Sequence, residues 1–335
     1  SFCVGLHAGA MGRKARPAAS SAKALEVCGD TSRLGVSAAD VFAQFNAPIS
    51  SYSEERQCVA LDDVEVSLAL QALQKKDPTT RLRNVQELHQ LFSLRSSEKL
   101  NDVCAPFLHI YRRLWPQDSE PRVREGLQRC LQVLVESLQR DFAKHLRSAF
   151  PTWLCAMFDT HTEVAQAARL AFRSTFNEEK RRGVFRHSLR ECLELLRSNL
   201  KHSEQSLHDE LGIVQSSADK DNALERQDRY ARVVASSLSA LGELVQVCSA
   251  PLDAPGGGAG AAKATLTGEQ LQPFLEVGSP CGVWPRLSSK QPTAIRRAAV
   301  QCLVRILRCE ADMGLACATS TNRAAALNAM ADEQI

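Results

Sequence analysis

The sequence is short of aromatic residues: Phe, Tyr and Trp together make up 5% of 335 residues. Strands favour aromatic and β-branched side chains, whereas the 44% hydrophobic content here is carried mostly by Leu and Ala. Helices are therefore favoured over sheets. No sign of charge dominates. A formal net charge of +3 sets up no global field that demands a nucleic-acid partner, so any basic function must be local. No apolar run approaches the ~18 residues of a membrane span. The opening segment Ser1–Ala10 lacks the charged n-region of a signal peptide. Met11, followed by the basic head GRKARP, reads as an initiator, with the residues before it a translated leader or gene-model artefact. Arg16 stands where a myristoylation signal would need Ser or Thr.

Also missing is any pattern among the cysteines. None of the 12 forms a C-x-x-C pair, and none lies close to paired histidines, which argues against a zinc site within these residues. Several fall on apolar helix faces, where a thiol behaves as a small hydrophobe. The expectation is reduced core cysteines in a cytosolic protein. Catalytic spacings are absent too: there is no P-loop, no G-x-G-x-x-G after a strand, no H-E-x-x-H and no G-x-S-x-G. The GGGAG at 256–260 lacks the Lys-Ser/Thr that would hold a phosphate and its metal, and reads as linker.

What is present is helical period. Residues 1–62 are rich in Ala, Ser and Gly without sustained period, and are predicted to be a disordered tail with a short helix near Ala38–Phe45. From Val64 apolar residues recur every three or four positions: Val66, Leu70, Leu73, then, after a break at KKDP, Leu82, Val85, Leu88 and Leu91. Residues 63–250 are read as helical repeats, 251–282 as a flexible Gly/Ala/Pro-rich insertion, and 283–335 as a further repeat whose pattern decays after Arg308. That decay predicts a fragment or a truncated gene model.

The repeat itself is the strongest signal. KDPTTRLRNV, DSEPRVREGL and DTHTEVAQAA place an Asp, an aliphatic five residues on and a small or basic residue after it, with the Asp at 77, 118 and 159, two intervals of 41. A fourth copy, KQPTAIRRAA, puts Ile295 131 residues after Val164 (164 to 295), about three more units. The Asp caps the second helix of each pair. Pro78, Pro121 and Pro292 sit at or near helix starts, where a missing N–H costs nothing. Small residues at Gly126, Ala167 and Ala298 allow close approach of neighbouring pairs. One pair cannot bury its own apolar face, so neighbours must stack. The predicted fold is all-α, an α-α superhelix of HEAT/armadillo type. Its first helices include Pro106–Leu114 and Leu146–Phe158, with Val184–Leu200 and Tyr230–Val247 further on and a polar loop or frayed helix over Lys201–Gln227.

Two basic segments are candidate contact surfaces. The turn from Lys75 to Arg83 gathers Lys75, Lys76, Asp77, Thr79, Thr80, Arg81 and Arg83, and exposed turns on a repeat scaffold commonly carry recognition. The run KRRGVFRH opens with Lys180, Arg181 and Arg182, and reads either as a phosphate-facing surface or as a solvated helix start. Arg83, Arg124 and Arg296 share one position in the repeat, from which an arginine either pairs with the turn Asp of a neighbouring unit or forms a basic ridge.

The particular residues filling the repeat resemble a known family. ALQALQKKDPTTRLRNVQELHQLF (69–92), PFLHIYRRLWPQDSEPRVREGLQRCL (106–131) and LRSAFPTWLCAMFDTHTEVAQAARLAFRSTF (146–176) are similar, in order and spacing, to the N-terminal region of the listerins, RING-type ubiquitin ligases of ribosome-associated quality control. MGRKARP, DRYARVVASSLSAL (228–241) and WPRLSSKQPTAIRRAAVQCL (284–303) fit the same family, so the resemblance covers roughly 62–308. It implies a cytosolic docking arm. Its implied partners are the large ribosomal subunit and a quality-control partner that senses peptidyl-tRNA. A ubiquitin-conjugating enzyme would be recruited by a C-terminal RING outside these residues. Zinc is expected only in that RING and no cofactor in this chain. The segment is thus expected to be the non-catalytic end of an enzyme. The alternatives are a generic HEAT scaffold of transport-receptor or phosphatase-regulatory type, which the 131-residue interval (164 to 295) disfavours, and a direct RNA-binding solenoid, which the near-neutral charge disfavours.

Overall fold

A computed structural model of the chain describes residues 63–211, 220–249 and 266–313. The expectations for the 1–62 tail, for the Gly-rich stretch at 251–265 and for everything after 313 lie outside the described residues. Within them there are twelve α-helices, two 3-10 segments and no strand. The all-α stack is what the period predicted.

The first helices form where the capping chemistry places them. Helix α1 (Val64–Ala72) starts at Asp63, whose carboxylate accepts from the Val66 N–H at 3.2 Å. Helix α2 (Pro78–Leu94) starts at Asp77, which accepts from the N–H groups of Thr79 and Thr80, with Pro78 at the first helical position. Helix α3 (Ser97–Gln117) is longer than the expected Pro106–Leu114 and carries Pro106 in its interior. Its turns on either side of that proline are anchored by buried Leu100, Cys104, Phe107 and Tyr111. Helix α4 (Pro121–Leu138) again opens on proline, and buries Val123, Leu127, Cys130, Leu131 and Leu134 as one stripe. A 3-10 turn (Asp141–His145) leads into α5 (Leu146–Ala156) and then α6 (Thr162–Thr175).

The second helices stack α2 on α4 on α6, while α3 packs on α5 behind them. Where α2 meets α4 the backbones come very close: a Cβ built on Gly126 would lie 2.7 Å from Cγ1 of Val85. One aromatic cluster forms where α5 and α6 meet α7 (Glu178–His187): Phe150 stands edge-on to Phe185 at 5.0 Å between centroids, and Trp153 edge-on to Phe172 at 5.4 Å. The buried indole N–H of Trp153 donates to the Ala168 carbonyl at 3.0 Å, so its polar atom is satisfied. A second aromatic group, Phe92, Phe107 and Tyr111, is buried between α2 and α3.

The second half departs further from expectation. The predicted Val184–Leu200 helix is broken at Ser188, fully buried, between α7 and α8 (Leu189–Lys201). The polar 201–227 stretch holds a short helix, α9 (Glu204–Glu210), closed by a Ser203/Ser206 capping box. Helix α10 (Lys220–Ser249) extends well before Tyr230. Its portion Ala223–Ser249 is long and apolar enough to cross a membrane, yet the apolar window is 72% buried inside the fold against α8 and α12 (Thr293–Met313). A helix apolar on most sides is what a core position requires. The C-terminal part of the predicted flexible insertion is packed structure. Helix α11 (Gly268–Leu275) begins with a Thr267/Gln270 capping box, and Leu266, Leu271, Phe274 and Val283 join the core. Apolar residues at helical spacing outweigh the Gly-rich composition beside them.

The eight cysteines among the described residues are all free, and all but Cys309 are buried. Burial pushes the thiols of Cys104, Cys155, Cys248 and Cys302 up to about 12, so they remain protonated and unreactive.

Candidate functional site

The turns between paired helices carry a repeated arginine–aspartate rung. Arg124 on α4 donates through Nε and Nη2 to the two carboxylate oxygens of Asp159 at 3.0 and 3.2 Å, and through Nη1 to the carbonyls of Asp118 and Ser119 at 2.9 Å each. One repeat earlier, Arg81 on α2 does the same. Nε and Nη2 reach Asp118 at 2.7 and 3.0 Å, and Nη1 donates to the carbonyls of Lys75 and Lys76. Each arginine closes its own turn and clasps the next. These are fork-to-carboxylate pairs, the strongest geometry available to the two groups.

The rung corrects the sequence register. Arg81, not Arg83, is the structural equal of Arg124. Asp77 and Asp118 are not equivalents: Asp77 is the N-cap of α2, whereas Asp118 lies two residues before the N-cap Glu120 of α4 and accepts from its N–H at 2.9 Å. Helix starts are 43 residues apart from Pro78 to Pro121 and 41 from Pro121 to Thr162. The sequence interval of 41 superposes two kinds of turn aspartate, one capping and one bridging.

A second set of arginines seals the same corner. Arg232 on α10 donates to the carbonyls of Trp115, Pro116 and Asp118 at 2.9, 3.0 and 3.1 Å, and Arg229 to that of Gln117 at 2.9 Å. These are the carbonyls that the C-terminus of α3 cannot pair internally, at the end where positive charge is favoured. Burial, and the charge of Arg124 beside it, depress the Arg232 guanidinium to about 9.

The predicted contact residues separate accordingly. Arg81 is held inward on Asp118, its side chain 12% exposed, and does not offer its charge outward. Asp77 is occupied as a cap. The Thr80 hydroxyl and the Thr80 and Thr79 N–H groups bond its carboxylate and hold it below the usual carboxylate range. Lys75, Lys76, Thr79 and Arg83 face solvent around one turn, with Thr80 half-buried. In the second segment Lys180 and Arg182 are exposed on the first turns of α7, while Arg181 is half-buried with Nε on the Phe176 carbonyl at 2.8 Å. The two segments are not brought together: one sits on α2, the other on α7. Reasoning from sequence missed Arg229 and Arg232, whose partners lie more than a hundred residues away in the chain. Among the described residues no group of three or more His, Cys, Asp or Glu is placed to hold a metal ion.

Fold and turns define a helical solenoid whose first units are clasped by internal arginine rungs and which presents Lys75, Lys76 and Arg83 around one exposed turn. A family model described as the N-terminal domain of E3 ubiquitin-protein ligase listerin matches residues 61–333. The chain belongs to the listerin family, to that N-terminal domain. It is 33% identical over 179 residues to the E3 ubiquitin-protein ligase listerin of Drosophila melanogaster, covering 53% of this chain and 10% of that protein. It is 28% identical over 189 residues to that of Gallus gallus, covering 56% and 10%, and 29% identical over 187 residues to that of Mus musculus, with the same coverage. The chain therefore matches about a tenth of the length of these relatives.

Proposed function

We propose that this chain is the docking region of a listerin-type ubiquitin ligase: it holds the ligase on stalled large ribosomal subunits, in the cytosol, so that a catalytic region elsewhere can ubiquitinate the nascent chain. The observation that carries the reading is the family match across residues 61–333. It is supported by a rigid helical scaffold that presents Lys75, Lys76, Thr79 and Arg83 outward at one end of the described stack. A HEAT-type stack suits this work because units clasped to one another fix the distance between a docking end and whatever follows. The expected partners are the large subunit itself and the protein that senses peptidyl-tRNA on it. The ubiquitin-conjugating enzyme would be engaged by a zinc-holding RING outside these residues, and this segment would carry no cofactor.

The test is co-sedimentation of the purified chain with large ribosomal subunits. Charge reversal at Lys75, Lys76 and Arg83 should weaken it while leaving the far-ultraviolet helical signal unchanged. Arg81 is left intact, because its loss would break a rung and confuse docking with folding. Sedimentation that is the same for the variant and the unaltered chain would remove this turn as the contact. Failure of the unaltered chain to sediment would remove the docking reading.

A further inference from the structure

A cleft of about 440 Å³ opens where the aromatic cluster of α5, α6 and α7 meets the second half of the stack, and its wall is rich in arginine. Arg169 and Arg173 enter it from α6, Arg181 and Arg182 from α7, and Arg305 from α12. Against these five guanidinium groups stand two carboxylates, Glu178 and Glu243. Glu243 is already held by Arg305 at 2.9 Å. The helix spacing produces the gathering: Arg169 and Arg173 are four residues apart on one face of α6. In a chain of net charge +3, this cleft has a local excess of basic over acidic side chains.

Three of the five cleft arginines differ from the arginines of the rungs and of the α3 C-terminus, whereas Arg181 and Arg305 already hold an acceptor. Arg81, Arg124, Arg229 and Arg232 each have a carboxylate or carbonyl acceptor within 3.2 Å. Arg169, Arg173 and Arg182 are exposed and have no carboxylate within ion-pair distance among the described residues. Two neighbours are preset by the protein: Arg181 by the Phe176 carbonyl, and Arg169 by the face of Phe158, 5.4 Å from its ring centroid. Half-buried Phe158, with Arg169 over its ring, is also part of the cleft wall.

We infer that this cleft binds the phosphodiester backbone of single-stranded RNA. Several unpaired guanidinium forks in one concavity call for a ligand with closely and regularly spaced anionic oxygens, which a nucleic-acid strand has and an acidic peptide rarely does. The guanidinium fork matches phosphate oxygens in pairs, and backbone contacts of this kind do not read base identity. The inference deepens the ribosome-docking reading and rests on it for the source of the RNA. It assigns Arg169, Arg173 and Arg305 to a surface that the sequence pattern had placed only at Lys180–Arg182.

The experiment is fluorescence polarisation of the full chain with a labelled oligouridylate of about a dozen nucleotides, titrated across a salt series. Arg169→Gln, Arg173→Gln and Arg182→Gln are combined in one variant and compared with a variant of equal charge change, Arg122→Gln, Arg297→Gln and Arg308→Gln, at exposed positions outside the cleft. With about 0.7 counterions released per phosphate on a single strand, the cleft variant should lose about 2 from the log–log salt slope and about 10- to 100-fold in affinity at low salt. The scattered variant should keep both. No binding by the unaltered chain, equal loss in the two variants, or displacement of the RNA by polyglutamate at equal charge would each overturn the inference, the last in favour of an acidic protein. Large-subunit sedimentation separates the two readings. If the chain fails to sediment but the RNA titration behaves as stated, docking fails and the cleft stands. If it sediments equally well with and without the cleft arginines, the cleft has no part in it.

Discussion

Truncating Arg124 to Ala removes four hydrogen bonds together: two to Asp159 at 3.0 and 3.2 Å and two to turn carbonyls at 2.9 Å. The side chains of Arg124 and Asp159 are 1% and 0% exposed, so the aspartate left behind would be a buried carboxylate without its fork. Breaking such a pair from one side costs about 3–5 kcal/mol. Arg232, whose Nη1 lies 3.9 Å from Asp159, supplies part of the missing charge, which places the loss near the lower end of that range, about 3 kcal/mol. With a urea dependence of about 2–3 kcal/mol per molar, the unfolding midpoint followed by circular dichroism should fall by about 1–1.5 M. Two companions fix the interpretation. Arg129→Ala breaks an exposed i,i+4 pair with Glu125 and should cost about 0.5 kcal/mol or less. Arg124→Met with Asp159→Leu removes the orphaned charge as well as the pair and should recover most of the stability. A midpoint for Arg124→Ala no lower than that for Arg129→Ala would refute the rung as a structural element.

Three further outcomes follow from local geometry. Gly126→Ala drives a methyl into Val85 at 2.7 Å, and the overpacking of about 1–3 kcal/mol should exceed the ~1 kcal/mol helix-propensity gain, lowering the thermal midpoint. Gln139, at φ 46° after the end of α4, is the one non-glycine residue with positive φ among those described, and Gln139→Gly should raise stability by about 1 kcal/mol in the same urea assay. Asp63 is held below its ordinary value of 3.8, first by the Arg95 guanidinium bonded to it. A depressed carboxylate gives stability that is complete above the unfolded value and lost as pH falls through the folded one. The stability gap between the unaltered chain and Asp63→Asn should therefore close as the urea series is taken below pH 3.8 and on through that lower value.

The all-α stack was legible because its evidence is local: apolar residues every three or four positions, proline and aspartate at helix starts, and small residues where helices touch. Gly126 needed nothing more distant than the stripe on either side of it. The arginine register was misread because Asp77 and Asp118 share a residue type and a neighbourhood but not a job, and only the backbone distinguishes a cap from a bridge. The same ambiguity put Arg81 among the outward-facing candidates. Arg232 could not have been found at all: its carbonyl partners are brought to it by packing of α10 on α3, 114 to 117 residues away in sequence. Composition misled in the opposite sense at 266–282, where a Gly-rich neighbour hid the regular spacing of Leu271, Phe274 and Leu275.

The arginine of each rung precedes its aspartate in the chain, by 37 residues for Arg81 and by 35 for Arg124. During synthesis the guanidinium therefore always emerges first and waits. A unit is finished only when the turn of its successor has left the ribosome, so the newest unit is always the least settled. Folding that runs from N to C would proceed as a series of latches, each closed from behind by the next, and an interruption of translation would leave one arginine unlatched at the point of arrest.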